Sequence, residues 1–251
     1  MDLKSNFKES LMYPIRNYKK FILLGTLFII LDINTLVFLN SDNPILTIFC
    51  VIDSIILLII IMGDLISIIR ETRLTTNEFE FGWWEKFGIG VKGFLISSFG
   101  IAIPLILFLL ITYITGTGEY YFDILEVGVN GLTINLSVMF NDYSFIVLLI
   151  NLFIVLLFIY FTVIALARLS HTNNLLESVN IKKIIEDLKN IGIIHFTLWV
   201  IIMFILMIIM GIVCDKVYYI SYVGLIISSY ILVPYIAMFL FKSIGNEYSI
   251  R

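Results

Sequence analysis

Three aspartates lie inside long apolar runs of the chain: Asp32, Asp53 and Asp64. A carboxyl in such a run is costly to bury, so these are the first positions to examine for chemistry. Asp32 lies about seven residues, or ~10 Å of helical rise, inside the outer end of its run, and Asp53 lies about eight residues, or ~12 Å, inside the outer end of the next. The connection around Asn40–Pro44 is so short that the two runs must be antiparallel neighbours. The two carboxyls therefore share a level, and Asn151, Ser228 and Ser229 of later runs fall at similar depth. Two carboxyls at one low-dielectric level cannot both ionise cheaply; they share a proton or hold a cation. That is the chemistry of an ion-coupled permease. A second reading stays open, because spacing does not fix helix rotation: each Asp stays protonated or hydrogen-bonds a neighbouring helix.

Asp64 precedes Arg70 by one to two helical turns and reads as its structural ion-pair partner. His171 and His195 are linked to no nucleophile and read as structural. The two cysteines, Cys50 and Cys214, form no CxxC or Cys/His cluster and read as inert, apolar residues. The sequence contains no phosphate-binding loop, nucleophile elbow or zinc-protease motif. The expectation is a protein without catalytic residues, metal or cofactor.

The elements that carry these residues follow from composition. The chain is 60% hydrophobic and 14% charged, against about 45–50% and about 25% for a soluble domain. Its solvent is therefore lipid, and the expected fold is an all-α integral membrane protein forming one polytopic domain. Six spans of roughly the ~20 residues needed to cross the hydrocarbon are expected at Phe21–Leu39, Ile45–Ile69, Phe94–Ile114, Ser144–Ala167, Ile191–Val213 and Tyr219–Phe241. Of the 16 Lys and Arg residues, all but Lys216 fall in the N-terminal segment, the segments after spans two and four, and the tail. This positive-inside bias places both termini in the cytoplasm and the chain in the cell membrane. A net charge of −3 with scattered cations argues against nucleic acid as a partner.

Amphipathic helices are expected at the cytoplasmic interface before spans one, three and five. The first presents Phe7, Leu11 and Tyr18, with Lys4, Lys8 and Glu9 elsewhere. The second presents the bulky stripe Trp83, Trp84, Phe87 and Val91. The third presents Ile181, Ile184, Ile185, Leu188 and Ile191 opposite Lys182, Lys183, Glu186 and Asp187, opened by a capping box from Asn174 to Glu177. Such helices lie in the headgroup plane. The glycine-rich Gly88–Gly93 between the second helix and its span reads as a flexible junction. Helix, span, loop and span recur at about residues 4–73, 78–170 and 175–245, a threefold hairpin repeat in topology. In the outer loop, Asp123–Val129 and Leu132–Val138 read as strands around an Asn130-Gly131 turn. Asn135-Leu-Ser137 is an N-glycosylation triplet.

A family resemblance rests on Gly63-Asp-Leu-Ile-Ser-Ile-Ile-Arg70, Phe81-Gly-Trp-Trp84, Phe87-Gly-Ile-Gly90-Val-Lys92, Pro104 and the final Phe241-Lys-Ser-Ile-Gly245 before Tyr248. With these motifs the chain resembles, as a divergent member, the prokaryotic membrane family called domain of unknown function 4013, which is common in methanogenic archaea. The resemblance implies architecture and location but no activity. The leading functional expectation is a non-enzymatic membrane protein acting through membrane lipids, a membrane-protein partner or a homo-oligomer, with Trp83, Trp84 and Phe87 as its contact surface. The alternative is a small ion-coupled transporter using Asp32 and Asp53.

Overall fold

A backbone in hydrocarbon finds no water for its N–H and C=O groups, so a long apolar segment satisfies them internally as a helix. The computed structural model describes residues 3–72, 83–117, 125–128, 131–134, 142–218, 220 and 222–249. In chain order its helices are α1 (Leu3–Arg16), α2 (Tyr18–Asn40), α3 (Pro44–Glu71), α4 (Trp83–Thr115), α5 (Asp142–Thr172), α6 (Leu175–Ser178), α7 (Ile181–Ile191), α8 (Ile193–Tyr218), α9 (Tyr222–Ile226) and α10 (Val233–Tyr248). A six-residue π-helical segment, Ile227–Leu232, joins α9 to α10. Six stretches are long and apolar enough to cross a membrane: Tyr18–Asn40, Pro44–Glu71, Trp83–Thr115, Phe145–Thr172, Ile193–Tyr218 and Val223–Tyr248. The chain is a multi-pass membrane protein.

Its contacts divide it into two units, residues 1–96 with 163–251, and residues 97–162. In the first unit α2 packs on α3, and α10 packs on α1, α2 and α3. The α2–α3 connection is short because Asn43 and Pro44 restart the helix at once. The Asn43 side chain accepts from Ile45 N (3.0 Å) and Leu46 N (3.5 Å). Pro44 occupies the first turn, where its missing N–H is no loss.

Four local expectations are corrected. The stretch Trp83–Lys92 is not a separate lead-in helix, and Gly88–Gly93 is not a flexible junction. Both are the opening turns of α4, which runs unbroken for 33 residues. The glycines serve packing instead. A Cβ on Gly63 would collide with the Lys86 carbonyl, and one on Gly90 with the Ile59 carbonyl. Small residues let two membrane helices approach backbone to backbone, which a reading of glycine as a helix breaker misses.

The first lead-in is turned over. The buried residues of α1 are Asn6, Ser10 and Pro14, while Lys4 and Lys8 are exposed along with Leu11 and Ile15. The polar face points into the protein, and the cations share the outward face with the apolar residues. The third lead-in is split. Asn174 caps only α6, accepting from Glu177 N at 3.4 Å. The longer α7 is opened by Asn180, which accepts from Lys182 N (3.1 Å) and Lys183 N (3.4 Å). Its isoleucines do not make one buried stripe: Ile184 and Ile191 are buried and Ile181 and Ile185 exposed. Gly192, at φ 98°, adopts a conformation closed to most other residues and lets the chain turn from α7 into α8.

Residues 97–162 form the second unit. There the close approach of Gly100 to Thr162 repeats the small-residue contact, and Pro104 is buried within α4. Strands β1 (Leu125–Gly128) and β2 (Gly131–Ile134) pair antiparallel, with Leu125 opposite Ile134 and Gly128 opposite Gly131. Residues 123, 124, 129 and 135–138 of the expected extents lie outside the described residues. Gly131, expected as the second residue of the turn, is a paired strand residue. Residues 129–130, like the Asn135–Ser137 triplet, lie outside the described residues.

Candidate functional site

At the Lys/Arg-bearing ends of its helices, the first unit holds a buried polar network that no motif announces. Asn6 of α1 is its hub. The Asn6 Nδ2 donates to Glu247 Oε1 (2.6 Å) and to the Ser243 carbonyl (3.3 Å). Its Oδ1 accepts from the hydroxyls of Ser10 (3.0 Å) and Ser243 (3.1 Å) and from Asn246 Nδ2 (3.1 Å). Trp199 of α8 donates its indole N–H to Ser243 Oγ at 2.9 Å. His195 Nε2 lies 3.0 Å from the second Glu247 oxygen. Asn6, Ser10, Ser243 and Glu247 are all completely buried. One side chain thus ties α1 to α10, and α10 is in turn tied to the start of α8.

Two helical periodicities build this hub. Asn6 and Ser10 are one turn apart on α1, and Ser243, Asn246 and Glu247 are spaced three and four apart on α10, so each set lies on a single face. Gly245, nearby on the same helix, lets α10 press on the end of α3: a Cβ there would stand 2.6 Å from Thr72 Oγ1 and 3.0 Å from the Ile69 carbonyl.

A second cluster adjoins the first through α10. Arg168, at the end of α5, forms a buried ion pair with Asp187 of α7. Its guanidinium also reaches the carbonyls of Glu177 (3.4 Å) and Lys183 (3.5 Å). Tyr248 donates its hydroxyl to Asp187 Oδ2 at 2.6 Å, and its ring stacks on His171 with centroids 5.3 Å apart. Lys242 pairs with Glu9 (2.9 Å), donates to Thr72 Oγ1 (3.3 Å) and sits 5.5 Å from the centre of the Tyr13 ring. Tyr13 donates to Glu71 at 2.9 Å. Burial first, and then the Glu71 charge, hold the Tyr13 hydroxyl well above its ordinary pKa, so it stays a donor. At the surface, the hydrogen bond and charge of Lys183 hold Glu177 below the usual carboxylate range.

The residues singled out from the sequence fall elsewhere. Of the two readings left open for Asp32 and Asp53, the geometry matches the one in which each carboxyl hydrogen-bonds a neighbouring helix. Asp32 accepts from Ser229 of the π-helical segment, and Asp53, which is exposed, accepts from Asn34 Nδ2 at 2.5 Å. Asp32 and Asn34 are two residues apart and so point roughly 200° apart around α2; one carboxyl is drawn toward the π segment and the other toward the α2–α3 seam. Ser228 is buried and donates to the Cys214 carbonyl at 3.2 Å. Asn151 belongs to the second unit, where it is buried and its amide finds no hydrogen-bond partner among the described residues. Asp64 pairs with Lys86 at 3.2 Å rather than with Arg70. Six residues of helix put Asp64 and Arg70 about 240° apart, on different faces. Trp83 and Trp84 stand 61% and 81% exposed at the start of α4, with Phe87 half-buried. Both cysteines are free.

Apolar periodicity along α1 does not reveal the hub. Its signal in the sequence is the polar spacing on α1 and α10, which carries no motif but repeats at helical period. Chemically, the network offers donors and acceptors that satisfy one another. Among the described residues no group of three or more His, Cys, Asp and Glu is placed to hold a metal ion. A family model described as "Protein of unknown function (DUF4013)" matches residues 45–215, more than half of the chain. No curated protein and no solved structure matches.

Proposed function

This chain belongs to the DUF4013 family, and on that premise we propose that it is a cell-membrane protein with both termini in the cytoplasm, acting without catalysis through contacts with lipid and with other proteins. One observation carries the reading. Trp83 and Trp84 project from the first turn of a helix that is fixed immediately behind them by the Lys86–Asp64 ion pair and the Gly63–Gly90 contact with α3. Large exposed aromatics at a fixed helix end, in a Lys/Arg-bearing part of the chain, fit the headgroup level of a bilayer or a protein docked there. The interlocked polar network supports the same reading: its groups are spent on one another, which suits a scaffold.

Alanine at Trp83, Trp84 and Phe87 is expected to leave folding nearly unchanged, since the two indoles are exposed. The same change should lower at least one lipid or protein species recovered with the chain in mild detergent by about tenfold or more, the scale of an aromatic hot spot. An unchanged set of co-purifying molecules would sink the proposal.

A transport reading has a narrower support. Asp32 lies against a π-helical segment, an irregularity frequent at functional sites. It ranks second because Asp53 is bonded to Asn34 and not to Asp32.

A further inference from the structure

A groove between α1, α8 and α10 encloses about 390 Å³. One wall is a helical ladder on α8, Met203, Leu206, Met207 and Met210, spaced i, i+3, i+4 and i+7. That ladder is ~10 Å long by helical rise and lies well inside a stretch apolar enough to cross the membrane. Phe7 and Leu11 of α1 and Phe239 of α10 face it, and Lys8 lines the same groove. Lys4, one turn before Lys8, is exposed on the same face of α1. Tyr235, which also lines the groove, donates its hydroxyl to the Leu11 carbonyl at 2.6 Å. The groove therefore has an apolar, methionine-rich floor and a cationic mouth.

We infer that this groove binds one anionic phospholipid, with an acyl chain along the methionine ladder and the phosphate at Lys8. Within a bilayer an apolar groove left empty forfeits the dispersion contacts of its lining, and acyl chains are the material at hand to restore them. Unbranched, polarizable methionine side chains adapt to a flexible chain better than branched ones do. The charge at the mouth selects the headgroup: exposed Lys8, backed by Lys4, complements a phosphate bearing a net negative charge. The inference rests on the membrane setting of the proposed function but not on its tryptophans. Alanine at Trp83 and Trp84 leaves this lipid bound, so the two readings fail separately.

The test is native mass spectrometry of the delipidated full chain titrated with phosphatidylglycerol and, separately, phosphatidylcholine. Wild type is expected to retain one phosphatidylglycerol in preference to phosphatidylcholine. Lys8→Gln, at an exposed position, should lower that preference about fivefold, the effect of one cation at an anionic surface, and keep the bound chain. Met207→Trp, which fills the groove, should abolish retention of either lipid while the protein elutes as a single folded species. Headgroup preference unchanged by Lys8→Gln overturns the inference, even if Met207→Trp fails to fold. Lipid retention unchanged in a folded Met207→Trp also overturns it, as does a change in oligomeric mass instead of lipid count, which would mark the groove as a seat for protein.

Discussion

Replacing Arg168 with methionine is expected to destabilise the purified protein by about 3–5 kcal/mol, the scale for a buried ion pair that loses one partner. Arg168 and Asp187 are both buried. The guanidinium pairs with that carboxylate and also holds the carbonyls of Glu177 and Lys183. With the cation removed, the Asp187 charge remains in a low-dielectric site, and the Tyr248 hydroxyl cannot neutralise it. Removing both charges is a different experiment. Arg168→Met combined with Asp187→Leu should recover most of the loss, because apolar side chains of similar volume replace buried ion pairs at little cost. Denaturant unfolding in detergent of the two single variants and the double variant closes the cycle. Additive losses would show that the pair is not coupled as described.

Asn6→Ala is the second large effect, with an expected loss of about 3 kcal/mol. A net loss of about 1–3 kcal/mol is usual for each buried group stripped of its partner, and more when the group is charged. Here Glu247, Ser243 and Asn246 all lose bonds to one side chain. Asn6→Asp gives the effect a pH signature. The new carboxyl would stand beside Glu247 where the amide now donates at 2.6 Å. Two carboxyls there cannot both ionise cheaply, so the folded state keeps a proton that the unfolded state releases. A folded pKa raised above the unfolded value contributes stability at low pH that is lost as pH rises. Relative to wild type, the variant should therefore lose stability between pH 5 and pH 8. Unfolding midpoints of Asn6→Asp and wild type at the two pH values check it, and the same pH shift in both would remove Asn6 from the centre of the network.

The six apolar helices were legible in the sequence because lipid imposes a length and a composition that few other environments require. Their ends were not. The last helix runs to Tyr248, seven residues beyond the apolar run that ends at Phe241. Its final two turns are polar but buried against protein, and hydropathy cannot distinguish a polar residue facing protein from one facing water. Helix α4 begins at Trp83, eleven residues before the apolar run at Phe94. Gly88, Gly90 and Gly93 look like breakers until the neighbouring helix is in place. The depth of Asp32 and Asp53 follows from counting residues, but their facing depends on which neighbour each helix packs against, and spacing leaves that open. The polar hub was hidden for the same reason, since Asn6 and Glu247 are 241 residues apart and meet only when the first and last helices do.

The proposed orientation turns on which side of the membrane these helix ends occupy, and single-cysteine labelling with an impermeant maleimide decides it. With Cys50 and Cys214 replaced by alanine, a cysteine at exposed Asp42, in the short α2–α3 connection, should react in intact cells. Cysteines at exposed Asn190 and Ser249, beside the α7 and α10 ends of the network, should react only after lysis. Labelling of Asn190 or Ser249 in intact cells, or protection of Asp42 there, would contradict the cytoplasmic placement of the network and the headgroup placement of Trp83 and Trp84.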